Sequence, residues 1–210
     1  MKIEKIISKD AEQNTYAIIG ISGVIVVDAG VGLSEITKLT NLPVKAVLIT
    51  HCHYDHISHI EEYSKLNVPI YAGEYAEEML ADQSKNCSDL FNNPQIYKIN
   101  NLTKVANGEK LTIDEFEVEC IQTKGHTKDG YCFLINAGEN KILFSGDTLF
   151  ATAIGRVDLP TGNADELIES LNKIKTLQFN LMLSGHGEQT TQSEQQAKIT
   201  KWIRYLNIVK

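Results

Sequence analysis

Apolar positions in this chain fall into short runs separated by polar, Gly- or Pro-bearing breaks, a rhythm of many short strands with helices between them. Lys2 to Ile7, Thr15 to Ile19 and Val24 to Val27 read as strands, the last two joined as a hairpin through Ile21-Ser22-Gly23. Asp28 to Gly32 closes the third strand in a loop. A helix is expected over Glu35 to Thr40, and Pro43 stops it. Val44 to Ile49 is apolar almost throughout, as befits a strand covered on both faces. Ile57, Ile60, Tyr63 and Leu66 recur at roughly helical spacing and predict one helix from Asp55 to Lys65. Ile70 to Ala72 reads as a strand and Glu74 to Ala81 as a helix with acids early in it. Asp82 to Asn101, with Asn-rich turns and Pro94, reads as a partly irregular surface excursion.

The second half repeats this plan. Strands are expected at Lys110 to Ile113, Phe116 to Gln122, Tyr131 to Ile135, Lys141 to Phe144 and Asn180 to Leu183, with helices at Ala164 to Leu177 and Glu194 to Leu206. Two strand-rich halves with helices outside imply an α/β fold, an αββα sandwich of two mixed β-sheets flanked by helices, and 210 residues fit a single domain over 1–210.

Composition narrows the function classes. A net charge of -7 without a run of Lys and Arg argues against nucleic acid as a partner. The absence of a long apolar stretch argues against a membrane span, and the acidic start Met1-Lys2-Ile3-Glu4 against a signal peptide, so the expected compartment is cytoplasmic. Cys52, Cys87, Cys120 and Cys132 lie far apart and are expected to be reduced thiols.

The candidate chemistry lies directly behind the apolar Val44 to Ile49 run, in His51-Cys52-His53-Tyr54-Asp55-His56. Crowded imidazoles and a carboxylate at a strand end are poor packing material, because buried charge is tolerated only when paired or coordinated. Five of the 6 histidines sit where a predicted strand ends in a loop: His51, His53, His56, His126 and His186. Asp147 does the same in Ser145-Gly146-Asp147-Thr148. Five histidines plus Asp55 and Asp147 exceed what one ion needs, and a carboxylate can bridge two cations, so the set points to a two-metal site. His51 and His53 alternate on one face, while Asp55 and His56 turn toward a neighbouring position.

These motifs, Thr50-His51-x-His53-x-Asp55-His56, Gly125-His126-Thr127, Gly146-Asp147-Thr148 and Gly185-His186-Gly187, resemble in order those of the metallo-β-lactamase superfamily, and Asp28 resembles its early structural aspartate. The resemblance implies the metallo-β-lactamase fold. It implies one metal on His51, His53 and His126 and another on Asp55, His56 and His186, with Asp147 and a hydroxide shared between them. Zinc is the first expectation, with iron or manganese as alternatives, and Asp55 and Asp147 would orient the nucleophile as well as bind metal. The stretch from Gly146 to Pro160 is similar to the glyoxalase II branch, and the short remainder after His186 matches its single-domain relatives. The implied activity is hydrolysis of a small-molecule thioester, of the hydroxyacylglutathione hydrolase type. The rivals on the same scaffold are a lactone hydrolase and a persulfide dioxygenase with one iron on His51, His126 and Asp147.

Two stretches depart from that pattern, Ser58-His59 after the cluster and Lys128-Asp129-Gly130 after His126; both are expected beside the site rather than in it, and so bear on the inference of substrate shape more than on metal binding. Other polar residues have plainer readings. His59 is expected at the surface, Cys52 as a packed thiol facing away from the metals, Arg156 and Asp158 as a structural pair, and Tyr131 and Cys132 in the core.

Overall fold

The computed structural model describes residues 1–9, 11–138 and 140–209. Two six-stranded sheets form its centre. The first runs in chain order through β1 (Lys2–Ile7), β2 (Asn14–Ile19), β3 (Val24–Val27), β4 (Val44–Leu48), β5 (Ile70–Ala72) and β6 (Leu102–Lys104). The second comprises β7 (Lys110–Ile113), β8 (Phe116–Gln122), β9 (Tyr131–Ala137), β10 (Asn140–Gly146), β11 (Leu181–Ser184) and β12 (Thr190–Thr191). Both are mixed. β1 to β3 pair antiparallel and β3 to β6 parallel, while in the second sheet only β10 and β11 are parallel. Parallel neighbours need crossovers, and helices supply them. α1 (Leu33–Thr37), the pair α2 (Tyr54–Ile57) and α3 (Ile60–Ser64), and α4 (Ala76–Leu80) serve the first sheet; α5 (Ala164–Thr176) serves the second, with α6 (Gln192–Val209) beside it. The expected αββα sandwich is the observed architecture.

Strand alternation explains the layers. Along β2, Tyr16 and Ile18 face the second sheet while Ala17 faces the helices; along β9, Phe133 and Ile135 point inward while Cys132 and Leu134 meet α5 and α6. Between the sheets, Ile25, Val27 and Leu48 pack on Val118, Phe133 and Phe144. Outside, Ile57, Ile60, Tyr63 and Met79 cover the first sheet, and Leu167, Leu171 and Ile174 the second. Each such side chain contributes about 1.5–3 kcal/mol when fully buried. Burial on both faces is why β4 is so nearly continuous in apolar residues. Among the described residues no helix is long and apolar enough to cross a membrane.

The single helix expected over Asp55 to Lys65 is two short ones, broken at Ser58-His59. The loop after β3 is the reason: the Ala29 amide donates to the His56 carbonyl at 2.7 Å, and the His59 amide donates to the Ala29 carbonyl at 2.9 Å. Those backbone groups are taken from the helical ladder by a distant segment, which helical periodicity cannot report. Strands β6 and β12 were not expected. They are three and two residues long and exist only as ladder partners of β5 and β11. The Asp82 to Asn101 excursion is irregular apart from a 3-10 turn at Ser88–Phe91. Helix α1 spans Leu33–Thr37 rather than Glu35 to Thr40, and α4 begins at Ala76 rather than Glu74. Helix α6 begins two residues early, where the Glu194 carboxylate accepts from the Thr191 amide at 2.8 Å.

Candidate metal centre

Five strand ends deliver the candidate residues to one edge of the sandwich. β3 ends at Asp28 and β4 at His51 and His53, with Asp55 and His56 on the first turn of α2; β8, β10 and β11 are followed by His126, Asp147 and His186. Because β10 and β11 are parallel, Asp147 and His186 emerge side by side, stitched by the Gly185 amide donating to the Gly146 carbonyl at 2.8 Å. The two sheets are tied there as well: the Tyr131 amide donates to the Thr50 carbonyl at 2.8 Å and the Asn14 amide to the Gly185 carbonyl at 2.7 Å. Gly146 turns the chain with φ +48°, and at Gly185 any Cβ would collide with Asp147 and with His56.

All seven residues singled out from the sequence come together. Ligand atoms of His51, His53 and His126 lie within 4.8 Å of one another, as do those of Asp55, His56 and His186, and Asp147 groups with His51 and His56. Asp147 sits between the sets, with Oδ1 3.2 Å from His56 Nε2 and Oδ2 3.7 Å from His126 Nε2 and 3.5 Å from His186 Nε2. His186 Nε2 is also 3.1 Å from Asp55 Oδ2.

The hydrogen bonds around the rings show which nitrogens are left over. His56 Nδ1 is 2.7 Å from the Asp28 carboxylate, His126 Nδ1 donates to the Arg156 carbonyl at 2.8 Å, and His186 Nδ1 donates to the Glu12 carbonyl at 3.2 Å. His51 Nδ1 lies 3.2 Å from Thr50 Oγ1. In these four rings Nδ1 is occupied and Nε2 is turned to the centre, the arrangement that orients an imidazole as a metal ligand. His53 is reversed, its Nδ1 facing His126 Nε2 at 3.0 Å. Nε2 of His51 is buried without a partner, and Nε2 of His56 and Oδ1 of Asp147, which face each other at 3.2 Å, make no hydrogen bond either. Buried polar atoms are rarely left so, and a set of them aimed at one point fits a cation.

Charge divides the centre into two halves. Burial, followed by the neighbouring imidazoles, drives His51 well below its ordinary value and His53 down to about 3, so these rings are neutral, as ligands must be. Burial also opposes charge on His56, but Asp147, Asp55 and Asp28 outweigh it and hold that ring well above the ordinary value. The Asp147 carboxyl is held below its ordinary range because His56, His126 and His186 overcome the burial penalty.

Asp28 anchors this arrangement, its carboxylate accepting from the Thr50 amide at 2.8 Å, from Thr50 Oγ1 and from His56. Cys52 is buried against the first sheet's outer core, His59 pairs with Glu62 at the exposed surface, Tyr131 and Cys132 are buried, and Arg156 and Asp158 form an exposed pair. Ser58-His59 and Lys128-Asp129 lie beside the site rather than in it. None of them lines the cleft above the centre, which runs from His53 and Asp55 to Phe150 and Leu159. Ser58 bonds to the Gly30 carbonyl, and Lys128 pairs with Glu78. Asp129 is buried and accepts from the Cys52 amide at 2.9 Å, so it positions the turn between His51 and His53. Gln13, whose Nε2 lies 3.5 Å from His56 Nδ1, was missed; nothing in its local sequence marks it.

Comparison with known proteins follows the same lines. The Metallo-beta-lactamase superfamily profile matches residues 9–186. A probable metallo-hydrolase of Streptococcus pyogenes is 32% identical over 203 residues, covering 91% of this chain and 86% of the relative. A hydroxyacylglutathione hydrolase of Haemophilus influenzae is 31% identical over 156 residues, 72% of each chain. Among solved structures, the BLEG-1 B3 metallo-beta-lactamase superposes with a TM-score of 0.82 at 28% identity, covering 93% of this chain and 97% of that one. Sequence and fold thus agree over nearly the whole length, and the chain belongs to the metallo-beta-lactamase superfamily.

Proposed function

We propose that this metallo-hydrolase is a thioesterase working with two divalent metal ions, held by His51, His53 and His126 and by Asp55, His56 and His186, with Asp147 common to both. Such ions supply a water of lowered pKa near neutral pH and a positive charge for a developing oxyanion. The observation that carries the reading is the set of buried, partnerless ligand atoms converging at the foot of an open cleft of about 460 Å³. Asp55 and Asp147 lie on the cleft floor, where either carboxylate can accept a proton from an attacking water and orient it.

The cleft also bears on the leaving group. Apart from the metal-ligand candidates, its described lining offers only two groups with polar hydrogens on their side chains, Cys87 and Arg156. Burial pushes the Cys87 thiol up to about 11, and a guanidinium does not release its proton. Without a general acid, a leaving group that departs as an anion is favoured, and a thiolate, with a thiol pKa of about 8.5, does so far more readily than an amine or alkoxide. The Haemophilus influenzae relative named as a hydroxyacylglutathione hydrolase supports the same class.

The test is metal analysis of the purified protein together with a panel of thioesters, lactones and persulfides. Two divalent ions per chain and thioester turnover are expected. His53→Ala should remain folded while losing metal affinity and activity by about 100-fold or more. One iron per chain with oxygen uptake on a persulfide would overturn the reading in favour of a dioxygenase.

A further inference from the structure

The walls of the cleft differ in character from its floor. On one side, the 3-10 turn Ser88–Phe91 is bounded by Cys87 at φ 59° and Asn92 at φ 55°, both left-handed. It is tied to the start of α2: the Tyr54 amide donates to the Asn86 carbonyl at 2.7 Å, and Asn93 Nδ2 donates to the Tyr54 hydroxyl at 2.6 Å. The Phe91 ring packs on Tyr54 with centroids 5.2 Å apart. This well-anchored turn nevertheless leaves Leu90 62% and Phe91 39% exposed at the cleft mouth. The same cleft is also lined by Phe150, Ile154 and Leu159, with the Phe150 ring edge-on to His186 at 6.0 Å. Large apolar side chains lining a cleft around a polar centre are unfavourable in water until something apolar covers them.

Charge on the walls points the same way. Arg156 is the one cation among the described residues lining the cleft, and its Nε and Nη2 donate to the Asp158 carboxylate at 2.7 and 2.6 Å. The lining therefore holds no cation outside an ion pair to receive the carboxylates of a charged peptide thiol.

Resting on the thioester reading above, we infer that the substrate group flanking the scissile bond is apolar, an extended alkyl or aryl group lying against the Leu90, Phe91, Phe150 and Ile154 lining, and not a multiply charged peptide thiol. The experiment has two arms. The metal-loaded full chain is assayed with N-acetylcysteamine thioesters of acetyl, butanoyl, hexanoyl and octanoyl groups and with S-lactoylglutathione. The metal-free chain is titrated by calorimetry with the corresponding S-alkyl thioethers, which cannot be hydrolysed. Expected are a kcat/KM and a thioether affinity that each rise about threefold per methylene from the two-carbon to the six-carbon member. The double variant Leu90→Ser, Phe91→Ser should lower the hexanoyl-to-acetyl ratio about tenfold or more. Thioether affinity flat from ethyl to octyl, or S-lactoylglutathione turned over faster than the hexanoyl thioester, would overturn the inference. A retained thioether gradient without cleavage of any thioester would refute the proposed reaction while supporting the apolar cleft.

Discussion

Replacing Asp28 by Asn isolates the contribution of a carboxylate that touches a candidate metal ligand only from behind. Asp28 sits at φ 62°, a conformation Asn tolerates, so the backbone has no reason to move. One oxygen receives the Thr50 amide at 2.8 Å, and an Asn Oδ1 can continue to do so. The other oxygen, 2.7 Å from His56 Nδ1, becomes an NH2 group. In the neutral ring that binds a cation, two donors then face each other, and the conflict is relieved when His56 carries its one proton on Nε2 and accepts at Nδ1. That proton occupies the nitrogen lying 3.6 Å from Asp55 and 3.2 Å from Asp147, where a cation would bind. Losing such an orienting partner costs about 10–100-fold in metal affinity, or roughly 1.4–2.8 kcal/mol. In the metal-free protein, loss of the charge-assisted bond should cost about 1.5–3 kcal/mol. Competition of each variant with a chromophoric zinc chelator measures the first quantity, and urea unfolding without metal the second. The loss should fall on the Asp55, His56 and His186 set and spare His51, His53 and His126. Asp28→Ala should be less stable than Asp28→Asn, because it orphans the Thr50 amide and places a Cβ-bearing residue without Asn's tolerance at positive φ, which costs about 1–2 kcal/mol. Wild-type metal affinity at both sets in Asp28→Asn would refute the reasoning.

Three further outcomes follow from the structure. Burial raises the Asp129 carboxyl, so folded Asp129 keeps its proton where the unfolded chain has lost it. Its stabilising contribution is full below the ordinary value of about 4 and is lost as pH rises through the raised one. Asp129→Asn keeps an acceptor for the Cys52 amide without that slope, so its stability relative to wild type should increase from about pH 4 toward neutrality in metal-free urea unfolding; a flat or falling difference contradicts this. His59→Ala removes only an exposed pair with Glu62, and calorimetric melting should register a loss under about 1 kcal/mol with metal content unchanged. Asn163→Ala removes the side chain that accepts from the Asp165 and Glu166 amides at 2.9 and 3.1 Å at the start of α5, and chemical denaturation should show about 1 kcal/mol of destabilisation.

Much of the scaffold was legible in the chain itself, because strand pattern and layer burial are local consequences of where apolar residues fall. The Val44 to Ile49 run announces a strand covered on both faces, and β4 is one. Histidines and aspartates placed after apolar runs and beside glycines are equally conspicuous, since few other uses bring those types to strand ends. What local pattern cannot carry is partnership across the fold. Ser58-His59 continues a helical spacing, yet the Ala29 backbone captures the groups that would have closed the helix. Lys128-Asp129 lies next to His126 in sequence, and nothing local shows that packing turns Asp129 inward to hold the Cys52 amide. Leu90 and Phe91 belong to a stretch with no periodicity at all, and only the tether from Tyr54 to Asn86 and Asn93 places them over the centre. Residue types and strand order thus determined that a polar cluster would form at the strand ends. The tertiary hydrogen bonds, made between segments as far apart as Glu12 and His186, decided which ring nitrogens face one another and what surrounds them. The physical reason is that hydrophobic periodicity reports burial, whereas the orientation of a buried polar group is set by the one partner that satisfies it.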